Sequence, residues 1–495
     1  MSFNEAQLKD LLGGKGYIRG PFGSALKRAE LKEDGVPVYE QQHAIRGDRD
    51  FRYFIDEEKY EKLKRFTVET NDLIISCSGT VGRISVIREG DPKGIISQAL
   101  LILRPDAEKV LPEYLYYFFS SKRGFNELIN ASQGAVQLNI APRAVVEKIP
   151  VPIPCIEEQK TIVAILKGVD DKIELNRQTN QTLEQIAQAI FKSWFVDFEP
   201  TRAKIIAKEQ GADSATQELA AQAIICGAIT LEQLQGYAEE SVEESAQQRE
   251  QESLSTRLQK AINEKLSQAS AHPLNATTAE QLIATAALFP NELVESELGE
   301  VPKGWEVKAL DEIAHYQNGL ALQKFRPEND EESLPVLKIA QLRKGFADGE
   351  ERASANIKPE CIVDNGDVVF SWSGSLIVDI WCGGKVALNQ HLFKVTSQNY
   401  PKWFYHYWTK RHLEVFQQIA ADKAVTMGHI KREHLSQAKC LVPADNLLEL
   451  GVINNLLEKQ VLLNLENFSL ENIRDALLPK LLSGELRVNS GSHIT

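Results

Sequence analysis

Short apolar runs, separated by glycine and proline, alternate along the chain with two long stretches of helical periodicity. The apolar runs predict β-strands. These strands lie at 72–76, 84–87, 100–103, 367–371 and 391–395. Aromatic-rich segments at 112–129 and 401–420 predict helices. Apolar residues at alternating steps of four and three predict a long helix over 157–198 and another after Pro443.

The same motifs occur twice in the same order, almost 300 residues apart. NDLIISCSGT matches GDVVFSWSGS, and IISQALLILRP matches ALNQHLFKVTS with Gln98 paired to Gln390. PEYLYYFFSSK then matches PKWFYHYWTKR, and AVQLNIAPRAVVEKIPVPIP matches AVTMGHIKREHLSQAKCLVP. Because four matches keep one order, we interpret the chain as two copies of one mixed α/β unit.

Each copy is followed by a helix whose apolar seam is typical of a coiled coil. The predicted interface residues are Ile162, Leu166, Val169, Ile173, Asn176, Leu183 and Ile190 on the first helix, and Leu450, Ile453, Leu457, Val461 and Asn464 on the second. The second seam continues through Phe468 and, after a slip, through Ile473 and Leu477. Asn176 and Asn464 occupy equivalent positions, and a buried asparagine can fix register. We predict that the helices pair antiparallel; packing of each helix on its own globule alone is the alternative.

These patterns predict an α+β fold in which two mixed α/β domains are joined by two long antiparallel coiled-coil helices with pseudo-two-fold symmetry. The segments are 1–154, first domain; 155–198, central long helix; 199–290, acidic helical connector; 291–443, second domain; 444–487, C-terminal long helix; and 488–495, tail. Within the connector we expect helices at 215–236 and 240–268, and a break near 267–278.

The net charge of −13 argues at first against a nucleic-acid partner, but its distribution weakens that objection. Residues 199–300 hold seven basic and 17 acidic residues, a net charge of −10. The two mixed domains are therefore close to neutral, and each could carry a basic face. Six scattered cysteines indicate a reducing compartment, and the absence of a long apolar run or signal segment predicts a cytoplasmic protein without membrane contact.

Catalytic motifs are missing from the sequence. There is no G-x-x-x-x-G-K-[ST] phosphate loop, no Asn/Asp-Pro-Pro-aromatic methyltransferase motif, no H-E-x-x-H and no G-x-S-x-G. His391, His406 and His412 lie near one another without cysteine or carboxylate partners at ligand spacing. We therefore predict a non-catalytic chain with no metal site.

Several segments together resemble the specificity subunits of Type I restriction–modification enzymes over nearly the whole chain. They are FGSALKRAELKEDGVPVYEQQHAIRG (22–47), the S-x-S-G-[TS] loops (76–80 and 371–375), IPVPIPCIEEQKTIVAIL (149–166), FKSWFVDFEP (191–200), LFPNELVESELGEVPKGWEV (288–307) and ALLPKLLSGELRV (476–488). The long acidic connector departs from this resemblance, and its role is open.

The resemblance implies a target-recognition function in antiphage defence. Each mixed domain is expected to bind one half of a bipartite, asymmetric site in double-stranded DNA. The helices are expected to dock two methyltransferase subunits and the restriction/translocase subunits of a bacterial or archaeal complex. That complex is a site-specific deoxyribonuclease and adenine-N6 DNA methyltransferase, and its S-adenosylmethionine, ATP and Mg belong to the partner subunits.

DNA contacts are expected from side chains with paired donors and acceptors, and from cations, hydroxyls and backbone N–H groups near phosphates. The candidates are Gln41, Gln42, His43, Arg46, Ser78, Thr80, Gln137, Arg143, Gln341, Arg343, Lys344, Ser373, Ser375, Lys431 and Arg432. Plain tight turns and solvated surface are the alternatives for these loops. The aromatic residues of 114–119 and 403–408 are instead predicted to be core.

Two rival functions remain at this level. One is a specificity subunit of a related system that serves a fused methyltransferase-nuclease. The other is a coiled-coil scaffold whose globules bind protein, although it leaves the duplicated β-rich domains unexplained.

Overall fold

The computed structural model describes residues 3–130, 140, 142–243, 253–270, 279–328, 331–422 and 428–487, and it divides into two compact units. Unit 1 comprises Met1–Leu175 and Ser469–Thr495, and unit 2 comprises Asn176–Phe468. In the part of the chain described, no helix is both long enough and apolar enough to cross a membrane.

Unit 1 is built around two small sheets. Its strands are β1 (Glu5–Gln7), β2 (Leu12–Arg19), β3 (Val36–Tyr39), β4 (Phe54–Ile55), β5 (Leu73–Ser76), β6 (Ile84–Val86), β7 (Ile95–Ile96), β8 (Leu100–Pro105) and β9 (Pro150–Pro152). Its helices are α1 (Leu8–Leu11), α2 (Gln41–Arg46), α3 (Glu57–Leu63), α4 (Pro112–Ser120), α5 (Lys122–Asn130), α6 (Arg143–Val146) and the first half of α7 (Ile156–Phe195). The larger sheet has the order β2-β8-β5-β6 and the smaller β4-β3-β7, while β1 pairs with β9.

Unit 2 begins with the connector helices and continues into a second sheet-bearing globule. The connector helices are α8 (Glu199–Glu209), α9 (Ser214–Ile225), α10 (Leu231–Glu243), α11 (Leu254–Ser270) and α12 (Ala279–Ala287). The strands are β10 (Leu293–Ser296), β11 (Gly299–Pro302), β12 (Glu306–Ala309), β13 (His315–Asn318), β14 (Ser333–Leu337), β15 (Arg352–Ser354), β16 (Ile362–Val363), β17 (Val368–Ser371), β18 (Val378–Ile380), β19 (Val386–Leu388), β20 (Leu392–Thr396) and β21 (Lys439–Val442). The remaining helices are α13 (Leu310–Ile313), α14 (Ile339–Lys344), α15 (Lys402–Arg411), α16 (Leu413–Asp422), α17 (Arg432–Gln437), α18 (Asp445–Leu448) and α19 (Gly451–Ser483).

The sheet topology of unit 2 repeats that of unit 1. The sheet β13-β20-β17-β18 corresponds to β2-β8-β5-β6, and β12 pairs with β21 as β1 pairs with β9. Each unit also has a parallel pair, β3 with β7 or β14 with β19, whose first strand has an antiparallel neighbour, β4 or β15. In unit 2 the sheet has a fourth strand, β16, antiparallel to β19, which gives the order β15-β14-β19-β16. The two copies inferred from the sequence are therefore confirmed as one topology used twice, and the five predicted strands agree with β5, β6, β8, β17 and β20 within two residues.

The aromatic-rich segments are core, as predicted. Tyr114, Phe118, Trp403 and Phe404 are each at most 1% exposed, and each large ring removed from water stabilises the fold by roughly 3 kcal/mol. Each predicted single helix is, however, two helices. In unit 1 the break is at Ser121, whose extended backbone ends α4 and whose hydroxyl accepts from the Gly124 N–H at 3.1 Å. A polar residue that caps a helix start thus divides a segment whose apolar pattern is continuous.

The long helices α7 and α19 pack antiparallel on each other within unit 1. Ile162 and Leu166 of α7 share one buried cluster with Leu478 and Leu481 of α19. Asp170 of α7 accepts from the Tyr117 hydroxyl of α4 at 2.8 Å and pairs with Arg474 of α19 at 3.0 Å. One carboxylate therefore ties the globule to both helices.

The same two helices also pack antiparallel within unit 2. Asn176 donates to the Asn467 side-chain oxygen at 2.9 Å, and Asn180 donates to that of Asn464 at 2.7 Å. Glu184 of α7 accepts from the Tyr407 hydroxyl at 2.9 Å and pairs with Lys410, and both of these partners belong to α15 of the globule. Each unit therefore holds its globule on the helix pair through a carboxylate of α7.

The predicted seam is displaced along the second helix. Asn467, not Asn464, is the buried partner of Asn176, and Asn464 lies at the exposed edge of the interface. Phe468 and Ile473 are 40% and 50% exposed, so their placement on the seam was wrong. Leucines occupy several faces of α19, and the apolar pattern alone does not distinguish them. Of the other predicted interface residues, Val169, Leu183, Ile190 and Leu450 are half-buried, and Ile162, Leu166, Ile173, Asn176, Ile453, Leu457 and Val461 are buried.

We expect the double replacement Asn176→Leu with Asn467→Leu to raise the free energy of unfolding of unit 2 by about 1 kcal/mol, because a buried amide pair costs stability relative to packed leucines. All six tryptophans lie between residues 194 and 408, so tryptophan fluorescence during urea unfolding reports on unit 2 alone. Asn455→Leu on the exposed face of α19 is the control. A lower stability in the double variant would show that the amide pair stabilises the fold itself.

The connector is a helical subdomain with a buried core of its own. Ala203, Ala220, Leu234, Leu258 and Leu282 belong to one apolar cluster contributed by all five helices. The predicted helix over 215–236 is interrupted, because Gly227 adopts a φ of +65° and Thr230 caps the start of α10. Helix α11 agrees with part of the predicted helix 240–268, and residues 271–278 of the expected break lie outside the described residues.

Candidate nucleic-acid interface

A short helix follows the parallel strand of each unit at the same place. In unit 1, β3 leads into α2, which ends at Gly47 with a φ of +73°. In unit 2, β14 leads into α14, which ends at Gly345 with a φ of +79°. Left-handed backbone of this kind favours glycine and stops a helix. The last helical residues, Arg46 and Lys344, are therefore equivalent, and both are exposed.

The two S-x-S-G-[TS] loops are tight turns held by a buried serine. The Ser76 hydroxyl donates to the Thr80 carbonyl at 2.5 Å and accepts from the Arg83 N–H at 2.9 Å. The Ser371 hydroxyl lies 2.9 Å from the Ser375 carbonyl. Gly79 and Gly374 share a φ of +65°. This turn explains why the S-x-S-G-[TS] motif has the same spacing in both copies. It leaves Thr80 and Ser375 exposed at the tip of the loop.

The predicted glutamines of unit 1 bond α2 to two neighbouring segments, the serine loop and the chain around Asp50. The Gln41 amide donates to the Ser78 carbonyl and, at 3.1 Å, to the Thr80 carbonyl. The Gln42 amide donates to the Asp50 carbonyl at 3.2 Å. Both side chains are half-buried, so their first effect is to position α2 against the loop.

One cleft of about 550 Å³ in unit 1 is lined by helix α2, by Thr80 at the loop tip, and by the segments around Arg28, Arg52 and Gln98. Its polar lining includes Arg28, Glu40, Gln41, Gln42, Arg46, Arg52, Thr80, Ser97 and Gln98. Arg52 donates two hydrogen bonds to Glu40, at 2.7 and 2.9 Å, and these bonds raise the pKa of its guanidinium. Among the described residues, no hydrogen bond or ion pair engages the guanidinium groups of Arg28 and Arg46, which leaves two cations at the cleft for an anionic ligand.

Two predicted contacts are corrected by burial. His43 is fully buried, with Nδ1 accepting from the Glu40 N–H at 2.7 Å and Nε2 lying 3.0 Å from the Asp50 carbonyl. Ser373 is 3% exposed, and its hydroxyl is 2.9 Å from His391 Nδ1. Both side chains are occupied inside the fold, so neither is available to DNA.

The α14 region of unit 2 presents a different surface. Arg343 and Lys344 are exposed, and Lys344 lies 3.8 Å from Asp348. Gln341 donates to the same Asp348 carboxylate at 3.4 Å. The first residue of α14 is Ile339, where α2 has Gln41, so the tether to the serine loop is not repeated.

The third predicted group does not join the cleft of unit 1. Arg143 pairs with Glu147 at 2.6 Å and lies over the Tyr17 ring, and Gln137 is outside the described residues. In unit 2, Lys431 lies 3.3 Å from Glu433, and Arg432 donates to the Tyr316 carbonyl at 3.2 Å. These exposed cations remain candidates for phosphate contact.

Sequence reasoning missed Arg28, Arg52 and Gln98 as lining residues of the cleft. Gln98 had a signal, because the repeat pairs it with Gln390. Arg28 and Arg52 had none beyond their charge, since only folding brings them next to α2.

Among the described residues, no group of three or more His, Cys, Asp or Glu side chains is arranged to hold a metal ion.

Comparison with known proteins gives the family. A family model described as "Type I restriction modification DNA specificity domain" matches residues 22–185 and 302–446. The chain belongs to this family. The two matched segments fall on the two copies of the repeat, and together they cover more than half of the 495 residues. The resemblance inferred from the sequence is therefore confirmed.

Two curated relatives extend over most of the chain. The Type I restriction enzyme HindI specificity subunit of Haemophilus influenzae is 27% identical over 409 residues, which is 79% of this chain and 81% of the relative. The MjaIX specificity subunit of Methanocaldococcus jannaschii is 23% identical over 396 residues, 77% of this chain and 70% of the relative. This chain is a specificity subunit of the Type I family, a non-catalytic component, as predicted.

A solved structure is also similar. The S subunit of a Type I restriction-modification system from M. genitalium is 12% identical and covers 97% of this chain and 96% of its own, with a TM-score of 0.47. The mixed helix and sheet composition predicted from the sequence is seen directly in the strands and helices described above.

Proposed function

We propose that this specificity subunit binds a split, asymmetric site in double-stranded DNA, with one half read by each unit. The observation that best supports this proposal is that one sheet topology occurs twice, while the side chains on the equivalent short helices α2 and α14 differ. Unit 1 presents Gln41, Gln42 and Arg46 there, and unit 2 presents Ile339, Gln341 and Lys344. Shared scaffolds with different side chains on their loops are suited to reading different bases.

The helix pair α7 and α19 would set the separation of the two half-sites and dock the partner subunits. The proposed partners are two methyltransferase subunits and the restriction/translocase subunits, to which S-adenosylmethionine, ATP and Mg belong. Asp170 and Glu184 support this role, because each fixes a globule to the helices. The proposed complex acts in the cytoplasm.

Methylome sequencing of cells with and without this gene tests the proposal. We expect a split motif carrying N6-methyladenine in both halves, and we expect it to disappear when the gene is deleted. Persistence of every methylated motif after deletion would contradict the proposal.

Removing the equivalent cations should weaken binding without changing base preference. Arg46→Ala and Lys344→Ala are each expected to lower DNA affinity of the assembled complex by roughly threefold to tenfold, and to reduce the slope of log affinity against log salt by about one. Fluorescence anisotropy of a labelled cognate duplex at several salt concentrations measures both effects. Alanine variants of two other exposed arginines, Arg88→Ala and Arg411→Ala, are the controls. An equal loss of DNA affinity in the controls would show that Arg46 and Lys344 contribute no more to DNA binding than other surface cations.

A further inference from the structure

A four-residue turn with glutamine at its second position occurs at the same place in both units. In unit 1 it joins β7 to β8, and the Leu100 N–H donates to the Ser97 carbonyl at 3.2 Å. In unit 2 it joins β19 to β20, and the Leu392 N–H donates to the Asn389 carbonyl at 3.0 Å. Gln98 and Gln390 are the second residues of these turns.

Both turns rest on a glycine that directly follows a strand, Gly20 after β2 and Gly319 after β13. A Cβ atom at Gly20 would lie 1.9 Å from the Ser97 carbonyl oxygen, and one at Gly319 would lie 2.3 Å from that of Asn389. No side chain fits in such a space, so the backbones meet directly. The two copies therefore keep the same close contact behind the glutamine, which fixes the position of the turn.

Each turn also lies beside the serine loop of its unit. The Cys77 N–H donates to the Ala99 carbonyl at 2.8 Å, and the Trp372 N–H donates to the His391 carbonyl at 3.4 Å. In unit 1 the exposed Gln98 lines the cleft together with Gln42 and Arg46. In unit 2, Gln390 is half-buried, and its amide lies 3.3 Å from Nε2 of His391, whose Nδ1 contacts Ser373.

We propose that Gln98 and Gln390 are equivalent specificity-determining residues, each contacting an adenine of an A·T pair in its own half-site. This inference rests on the proposed function. A glutamine amide both donates and accepts, which matches N7 and N6 of adenine in the major groove. The side chains at the start of the short helix differ between the units, Gln41 and Gln42 in one and Ile339 and Ala340 in the other. The glutamine and the hydrogen bond of its turn are the same in both. The two halves, otherwise unlike, therefore share one adenine that is read in the same way.

The experiment uses the full subunit assembled with its methyltransferase partner and a pool of duplexes randomised across both half-sites. Sequencing of the methylated products gives the base preference at every position. Gln98→Ala is expected to relax one A·T position in one half by about tenfold or more, with the other half unchanged. Gln390→Ala is expected to do the same in the opposite half. Because each variant keeps an untouched half-site, that half reports that the subunit has folded and assembled.

Glutamate at the same position separates base reading from a structural role. Glu accepts but does not donate, and it pairs with the N4 amino group of cytosine, so Gln98→Glu should shift preference at that position from adenine toward cytosine. The exposed Gln7→Ala and Gln418→Ala are matched controls that should change no position.

Three results would overturn the inference. The first is lower methylation with every base preference retained, and the second is a relaxed preference at a position that is not an A·T pair. The third is loss of methylation of all sequences. If the wild-type complex itself gives no split motif, the proposed function fails, and that failure is seen before any variant is made.

Discussion

Replacing Glu218 by alanine is expected to destabilise the connector by about 3 kcal/mol, because it leaves the ammonium group of Lys204 buried without its carboxylate. Lys204 is 3% exposed at its side chain and donates to Glu218 at 2.6 Å and to the Phe289 carbonyl at 2.7 Å. These contacts join α8, α9 and Phe289, which lies two residues beyond the end of α12. The variant should therefore open the subdomain locally rather than unfold the whole chain.

Hydrogen exchange of the α8 and α9 amides measures this local opening. The exposed Glu209→Ala, at the end of α8, is the matched control and should leave exchange unchanged. The double variant Lys204→Met with Glu218→Leu should recover most of the loss, since packed apolar groups can replace a buried ion pair at little cost. Unchanged protection in Glu218→Ala would mean that water or another group already satisfies Lys204.

The sequence was sufficient for the repeated architecture because the signals were strong and local. Strand lengths followed from apolar runs bounded by glycine, and α7 followed from 40 residues without proline and with one glycine, Gly168. The duplication was readable because Ser76 and Ser371, buried in equivalent turns, leave the same short motif twice. These features depend on neighbours in the chain and need no knowledge of distant contacts.

The candidate interface was harder to predict because it depends on which side chains become buried. His43 looked like a surface residue beside Gln42 and Arg46, yet it lies on the buried face of α2, where the centroid of its ring is 4.6 Å from that of Phe51. The shift from Asn464 to Asn467 has a similar origin. Both asparagines fit a helical repeat, and only the partner helix decides which one faces Asn176.

Acidification below pH 6.5 is expected to destabilise unit 2, because His406 is buried in its neutral form. Burial, reinforced by Lys410, lowers the pKa of this imidazole to about 3, although Glu184 opposes that shift. The unfolded chain binds a proton near the ordinary pKa of about 6.5, whereas the folded chain does not. Stability is therefore complete above pH 6.5 and falls as the pH decreases toward 3, with a loss of roughly 2 kcal/mol by pH 5 from this residue.

Glu184, whose carboxylate interacts with His406, gains its proton at a lower pH than the histidine does in the unfolded chain. Burial tends to raise the pKa of Glu184, but Lys410 outweighs it, and the pKa is held at about 2. Its stabilising contribution is present above the ordinary pKa of 4.5 and is lost as the pH falls from there toward 2. Glu184 therefore contributes little to the change between pH 6.5 and 5, where His406 acts together with His412, whose pKa is also lowered by burial.

His406→Phe separates these contributions, because it removes the buried titrating group while keeping an aromatic ring. Urea unfolding followed by tryptophan fluorescence at pH 7.5 and pH 5 should show a loss of stability smaller by roughly 2 kcal/mol in the variant than in the wild type. The exposed His315→Gln should retain the wild-type difference. An equal loss of stability in His406→Phe and in the wild type would mean that His406 gains a proton without leaving the fold. The contact of Glu184 on α7 with Tyr407 and Lys410 on α15 would then persist with a second cation, the imidazolium of His406, beside Lys410.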